Sequence, residues 1–131
     1  MKLRYLILAL ALGSCNSATS VSAGGTFVVA VVDEEFRVRI DNSLLATQAR
    51  RMMSGQDKQK IVTGKLLRGD GGFNAGYHWH IDPAAVGFAD LTIELCDGKP
   101  SEVEKNIDYW VDTVKQYCPW GGHFVREVGR F

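Results

Sequence analysis

The stretch that most constrains the fold is Leu91–Trp120, LTIELCDGKPSEVEKNIDYWVDTVKQYCPW, which packs an alternating run, a turn, a helical stripe and two cysteines into thirty residues. Leu91, Ile93 and Leu95 alternate with Thr92, Glu94 and Cys96, the period-2 pattern of a strand with one apolar face. Asp97-Gly98 is a turn pair. Ser101 and Glu104 have the spacing of a capping box, in which a hydroxyl and a carboxylate each accept from a backbone N–H at a helix start. Val103, Ile107, Trp110, Val111 and Val114 then share one helical face, with Lys105, Asp108, Asp112 and Lys115 turned to water and Trp110 as core anchor. Pro119 stops the helix, because its ring disfavours a helical backbone at Cys118.

The N-terminus has a different character. Lys2 and Arg4 precede an uninterrupted apolar run, Tyr5 to Leu12, the charged and apolar regions of an export signal. The run is too short to span a bilayer. Leu12-Gly13-Ser14-Cys15 resembles the lipobox of bacterial lipoproteins, in which the cysteine is acylated and becomes the mature N-terminus. The chain therefore divides into a signal peptide (1–14), a lipid-anchored Ser/Ala/Gly-rich tether (15–25) and a single domain (26–131) at the periplasmic or cell-surface side of a membrane. The competing expectation is cleavage after Ala23, where Val21-Ser22-Ala23 supplies small residues, which would secrete the domain.

At 131 residues, 46% hydrophobic and 23% charged, the chain has the composition of one globular domain. Removing Lys2 and Arg4 from the 15 basic residues leaves 13 against 15 acidic ones, a formal charge of −2 with no footprint for nucleic acid.

Within the domain, Thr26–Val32 reads as a buried strand and Asp33-Glu34-Glu35 as a turn. Phe36, Val38 and Ile40 alternate with Arg37 and Arg39 in a second strand, so the pair predicts a hairpin. Asp41, Asn42 and Ser43 offer N-caps to a helix with Leu45, Ala49, Met52 and Met53 on one face and Gly55 as its stop. Lys60–Leu67 reads as a third strand with Gly64 as its weak point. Gly69-Asp70-Gly71-Gly72 lacks the lysine and spacing of phosphate loops and reads as a flexible connection. Tyr77–Ile81 is a strand ended by Asp82-Pro83, the segment to Asp90 a loop, and His123–Val128 a last strand. The expected fold is α+β: a mostly antiparallel sheet of about six strands with two helices packed on one face.

YHWHIDP, FADLTIELCDG and NIDYWVDTVKQYCPWGG resemble the N-terminal domain of an amoebal calmodulin-binding protein and its small exported bacterial relatives, over Thr26 to Val128. The resemblance brings no catalytic residues with it. Calmodulin binding is not expected to transfer, since calmodulin targets are basic amphipathic helices, whereas the second helix here is acidic and the first has only Arg50 and Arg51.

With Cys15 committed to lipid, Cys96 and Cys118 are an even pair in an oxidising compartment and are expected to form a disulfide. Geometry sets a condition. A helix from Glu102 to Tyr117 is about 24 Å long, the steps from Cys96 to Ser101 reach back roughly 17 Å, and a disulfide needs its α-carbons within about 7 Å. The bond therefore requires a taut segment or a helix that ends before Tyr117.

His78 and His80 project from one strand face with Asp82 in line and His123 as a distant third nitrogen, which is the spacing of a zinc or other divalent-metal site. Against it, no neighbour in the local sequence holds the second nitrogens of the rings, as the surroundings of a working metal do. The histidines are therefore expected to form an exposed polar patch. No serine elbow, zinc-protease helix or calcium loop is present, and Tyr77, Trp79 and Trp120 are candidate aromatics for a ligand cleft. The function expected is a lipid-anchored binding or interaction module with no cofactor, whose partner is a protein or a small molecule. The alternative is a small metal-dependent enzyme using His78, His80 and either Asp82 or His123.

Overall fold

The computed structural model describes residues 13–14 and 23–131. The fold is α+β, and the described residues form seven strands in two antiparallel sheets and a few short helices. The single sheet expected from the sequence is thus divided into two.

The first sheet has the order β2-β1-β7. β1 (Gly25–Val31) and β2 (Glu34–Ile40) form a hairpin in full register from Gly25↔Ile40 to Val31↔Glu34. Phe36, Val38 and Ile40 bury one face of β2 while Arg37 and Arg39 stay outside, as the alternation requires. The turn is Val32-Asp33 rather than Asp33-Glu34-Glu35, and it places the β-branched Val32 at a φ of 58°. Glu34 and Glu35 are instead strand residues with distant partners, Ser101 and Arg126. β7 (Gly122–Arg130) pairs antiparallel with β1, with register shifts that leave Val125 and Val128 outside the ladder and exposed. Bulges of this kind twist an edge strand away from neighbours.

Helix α1 (Ser43–Met53) lies against β7 and β2. The Asn42 side chain accepts from the N–H groups of Leu44 and Leu45, at 3.0 and 3.1 Å, and caps its start. Gly55, at a φ of 76°, ends it in the left-handed conformation that glycine adopts without strain. Ala46, Ala49 and Met52 are its buried face. Arg50 pairs with Glu127 of β7 at 2.7 Å and donates to the carbonyls of Ala23 and Gly24, so α1 grips both the last strand and the chain entering β1. The two guanidinium groups of Arg50 and Arg130 pull the Glu127 carboxyl down to about 2. β1 takes in Gly25, which the composition had assigned to the tether.

The second sheet is built on β3 (Ile61–Arg68). β4 (Trp79–Ile81) and β5 (Gly87–Ala89) pair with its two ends, and β6 (Gln116–Tyr117) pairs with Gly64 and Lys65 in its middle. Gly64 is a point of close approach, since a Cβ there would overlap the Ile81 side chain. β5 and β6 are too short to carry a period-2 pattern, so the loop expected up to Asp90 and the helix expected through Tyr117 each give way to a short strand.

The sheets meet in one core, where Phe36, Trp79, Trp110 and Tyr117 form an aromatic cluster with Tyr117 in contact with the other three. Buried Asn74 joins them by hydrogen bonds, accepting from the Arg37 N–H at 2.8 Å and donating to the Trp79 carbonyl at 2.8 Å. The Tyr77 hydroxyl donates to the Glu35 carbonyl at 2.9 Å, so side chains from the 69–78 loop occupy the outer edge of β2.

The long second helix is replaced by three pieces. Helix α2 (Pro100–Lys105) begins two residues after the Asp97-Gly98 turn, and the Glu102 carboxylate accepts from the Lys99 N–H at its cap. Ser101 does not cap: its N–H and hydroxyl both donate to Glu34. Glu104 is likewise taken elsewhere, by His78. Asn106 breaks the helix, α3 (Ile107–Tyr109) resumes it, and a π-turn over Trp110–Val114 ends at Lys115, whose φ is 68°. Trp110 and Val114 remain buried, as the stripe predicted. Among the described residues no helix is long and apolar enough to cross a membrane.

Candidate binding cleft beside the disulfide

Leu91–Cys96 has the alternation of a strand but no strand beside it. It runs as an extended loop to Ile93 and closes in a 3-10 turn, Glu94–Cys96. Leu91, Ile93 and Leu95 are 89, 68 and 54% exposed, so the apolar face predicted for the core points the other way.

What fixes this loop is its far end. Cys96 is disulfide-bonded to Cys118, with α-carbons 5.1 Å apart. The Cys118 N–H donates to the Cys96 carbonyl at 2.8 Å, the Trp120 N–H to the Asp97 carboxylate at 2.8 Å, and the Tyr117 hydroxyl to the Gly98 carbonyl at 2.8 Å. Burial pushes the Tyr117 phenol far above its ordinary range, which keeps it a donor. The geometric condition on the disulfide is met because the helix ends before Tyr117.

Between this pinned loop and the second sheet lies a cleft of about 320 Å³. Thr63 and Ala89 form one wall, Thr92, Ile93 and Leu95 the other, and Val114, Gln116 and the disulfide complete it. Among the described residues, no charged side chain lines it. The polar groups in its lining are the two threonine hydroxyls and the Gln116 amide, and among the described residues these side chains have no hydrogen-bond partner. The Thr92 hydroxyl is buried as well as unpaired, an arrangement that typically costs about 1–3 kcal/mol. A largely apolar concavity with a few unpaired polar groups is the usual make-up of a small-molecule site.

A second cleft, of about 200 Å³, lies over Val28 between Arg37, Arg126 and the Asn74-Ala75 backbone. Its charges are only partly matched: Arg126 donates twice to Glu35, at 3.1 and 2.8 Å, and holds that carboxyl below its usual range, while Arg37 adds only a weaker charge interaction with the same carboxylate.

The histidines are placed apart from both clefts. Trp79 and Ile81 point inward, so His78 and His80 face outward, and each Nδ1 has a partner: the Glu104 carboxylate for His78 and the Gly69 carbonyl, at 2.7 Å, for His80. This corrects the expectation that their second nitrogens are unheld. Both partners come from segments at least eleven residues away and were invisible to local inspection. The Glu104 hydrogen bond and charge raise the His78 pKa above 6.5. Asp82 has turned away to accept from the Ala84 N–H, and His123 sits opposite Ala30 in the other sheet. No group of three metal-ligating side chains converges among the described residues.

The aromatics singled out for a cleft do not line this one. Trp79 is fully buried, and Tyr77 packs on it with its hydroxyl committed to Glu35. Trp120 is 42% exposed beside Asp97. Of the cleft's lining, only Cys96 and Cys118 were named from sequence as site residues. The shared face of Ile93 and Leu95 was legible, but not which way it turned. Cys15 lies outside the described residues.

The family described as the BP-74 N-terminal domain matches residues 24–130, nearly the whole described domain. The chain belongs to the BP-74 N-terminal domain family. No curated protein and no solved structure matches it. The BP-74 N-terminal domain match begins at Gly24, whose carbonyl accepts from Arg50.

Proposed function

We propose that this member of the BP-74 N-terminal domain family is exported, held on a membrane through acylated Cys15, and acts as a binding module whose site is the cleft beside the disulfide. The signal-like N-terminus and the lipobox-like Leu12-Gly13-Ser14-Cys15 support the anchor. Lipoprotein acylation places more than one chain on the cysteine, as stable attachment requires. The eight steps from Cys15 to Ala23 let the domain stand at most roughly 28 Å from its anchor.

The observation that carries the binding role is the cleft itself, concave, free of charged side chains and lined by two exposed aliphatic side chains of one loop, Ile93 and Leu95. Apolar patches of that kind on a soluble domain mark interaction sites. The test uses the full chain with Cys15→Ser, which should leave the membrane fraction, and the uncharged dye N-phenyl-1-naphthylamine. Saturable one-to-one binding is expected, and Val114→Trp, which fills the cleft, should abolish it. Binding unaffected by Val114→Trp would place the site elsewhere.

A further inference from the structure

We infer that the cleft takes an uncharged, mainly apolar small molecule that carries a single hydroxyl or carbonyl group. The inference rests on the binding role proposed above and specifies its ligand. Three observations lead to it. First, nearly a quarter of the chain is charged, yet no Lys, Arg, Asp or Glu among the described residues lines this cleft. A carboxylate or ammonium buried there would lose its hydration with nothing to replace it.

Second, the polar groups that do reach the cleft, Thr63, Thr92 and Gln116, are all neutral and have no hydrogen-bond partner among the described residues. Hydroxyls donate as readily as they accept, so they suit either an alcohol or a carbonyl. Third, the volume of about 320 Å³ is at the small end of ligand sites, enough for a medium-length chain or a small ring system. The Thr92 side chain lines the cleft and its hydroxyl is enclosed and unpaired, so that hydroxyl reaches a ligand by rotation of the side chain toward the cleft. A ligand seated in the cleft would cover part of the Ile93 and Leu95 side chains, and with Thr92 turned toward it would supply the missing hydrogen bond.

The experiment compares octan-1-ol, octanoate and octylammonium, matched in chain length, as displacers of N-phenyl-1-naphthylamine from the Cys15→Ser full chain at pH 7. Val114 methyl resonances report occupancy directly. The alcohol is expected to bind at least tenfold more tightly than either ion. Thr63→Val with Thr92→Val, which keep shape and remove the hydroxyls, should weaken the alcohol about threefold to tenfold more than they weaken the dye. If the ions bind as well as the alcohol, the inference fails while the binding role stands. If neither the dye nor any octyl compound binds the cleft, both fail. Displacement by a blocked Val-Thr-Val-Thr-Val peptide and by none of the octyl compounds would overturn it in favour of a peptide partner.

Discussion

Strand β2 and the loop Leu91–Cys96 carry the same signal, aliphatic or aromatic residues at every second position, and they end in opposite situations. In β2 the alternate residues Phe36, Val38 and Ile40 are almost wholly buried. In the loop Leu91, Ile93 and Leu95 are mostly in water. The difference is the neighbour. β2 is joined to β1 by two residues and finds its hydrogen bonds at once, whereas residues 91–96 lie next to a place in the second sheet that β6 occupies instead. Period-2 patterning states which residues will share a face, and a partner strand decides whether that face is covered.

The sharpest way to break the comparison is to truncate equivalent positions. Phe36 contacts both Trp79 and Tyr117 across the sheets, so Phe36→Ala should cost about 3–5 kcal/mol. Leu91→Ala should stay within about 0.5 kcal/mol. Chemical denaturation of both variants measures the pair; comparable losses would mean that the 91–96 loop is packed like a strand after all.

The legibility of the chain follows the same division. The hairpin, α1 with its Asn42 cap, β3 and the last strand could be placed because each buries its stripe against neighbours through its own local pattern. The π-turn could not, because the stripe from Val103 to Val114 is satisfied by a broken helix as well as by a straight one. Nor could the caps: Ser101 and Glu104 have capping-box spacing, but Glu34 and His78 compete for them from 67 and 26 residues away. Two-residue β6 and three-residue β5 are too brief for any period. The cleft was hidden for the same reason, being lined by side chains from segments whose mutual placement depends on the disulfide and on β6.

The disulfide gives the next largest effect, because it holds the irregular region and not the regular one. It closes a loop with a sequence separation of 22, for which chain entropy suggests about 3 kcal/mol. Cys96→Ala with Cys118→Ala should therefore lower stability by about that amount. Hydrogen exchange should speed first in residues 91–99 and 116–121, before β1 and β2. Uniform acceleration across both sheets would show that the two regions unfold as one unit. Equal thiol counts in the unfolded wild type with and without reductant would remove the bond itself.

A smaller effect sits in the regular half. Val32 occupies a positive φ of 58° at the hairpin turn and is three-quarters exposed, so it has strain without burial in return. Left-handed backbone at such a residue costs of order 1–3 kcal/mol, and glycine removes that at an entropic loss of about 0.5–1 kcal/mol. Val32→Gly should stabilise the domain by about 1 kcal/mol. A loss instead would show that the Val32 side chain is packed by something the isolated domain retains, and the thermal midpoint decides between them.

The smallest effect links the two regions. His78, at the approach to β4, is held by Glu104 of α2 through both its backbone N–H and its ring. The hydrogen bond first, and the charge of Glu104 second, favour the imidazolium and raise its pKa above 6.5. A raised histidine pKa means that the pair's contribution is complete below about 6.5 and is lost as the pH climbs through the folded value. The ring is almost fully in solvent, so water and salt screen the pair and the thermal midpoint should hardly move between pH 6 and 8. The sensitive readout is the ring proton titration by NMR. The His78 midpoint should lie above that of an unperturbed histidine, return toward 6.5 in Glu104→Gln, and shift downward in 1 M salt. A His78 midpoint insensitive to Glu104→Gln would mean that α2 does not reach β4 in solution, leaving the helix tied to β2 through Ser101 and Glu34 and the loop tied by Cys96–Cys118.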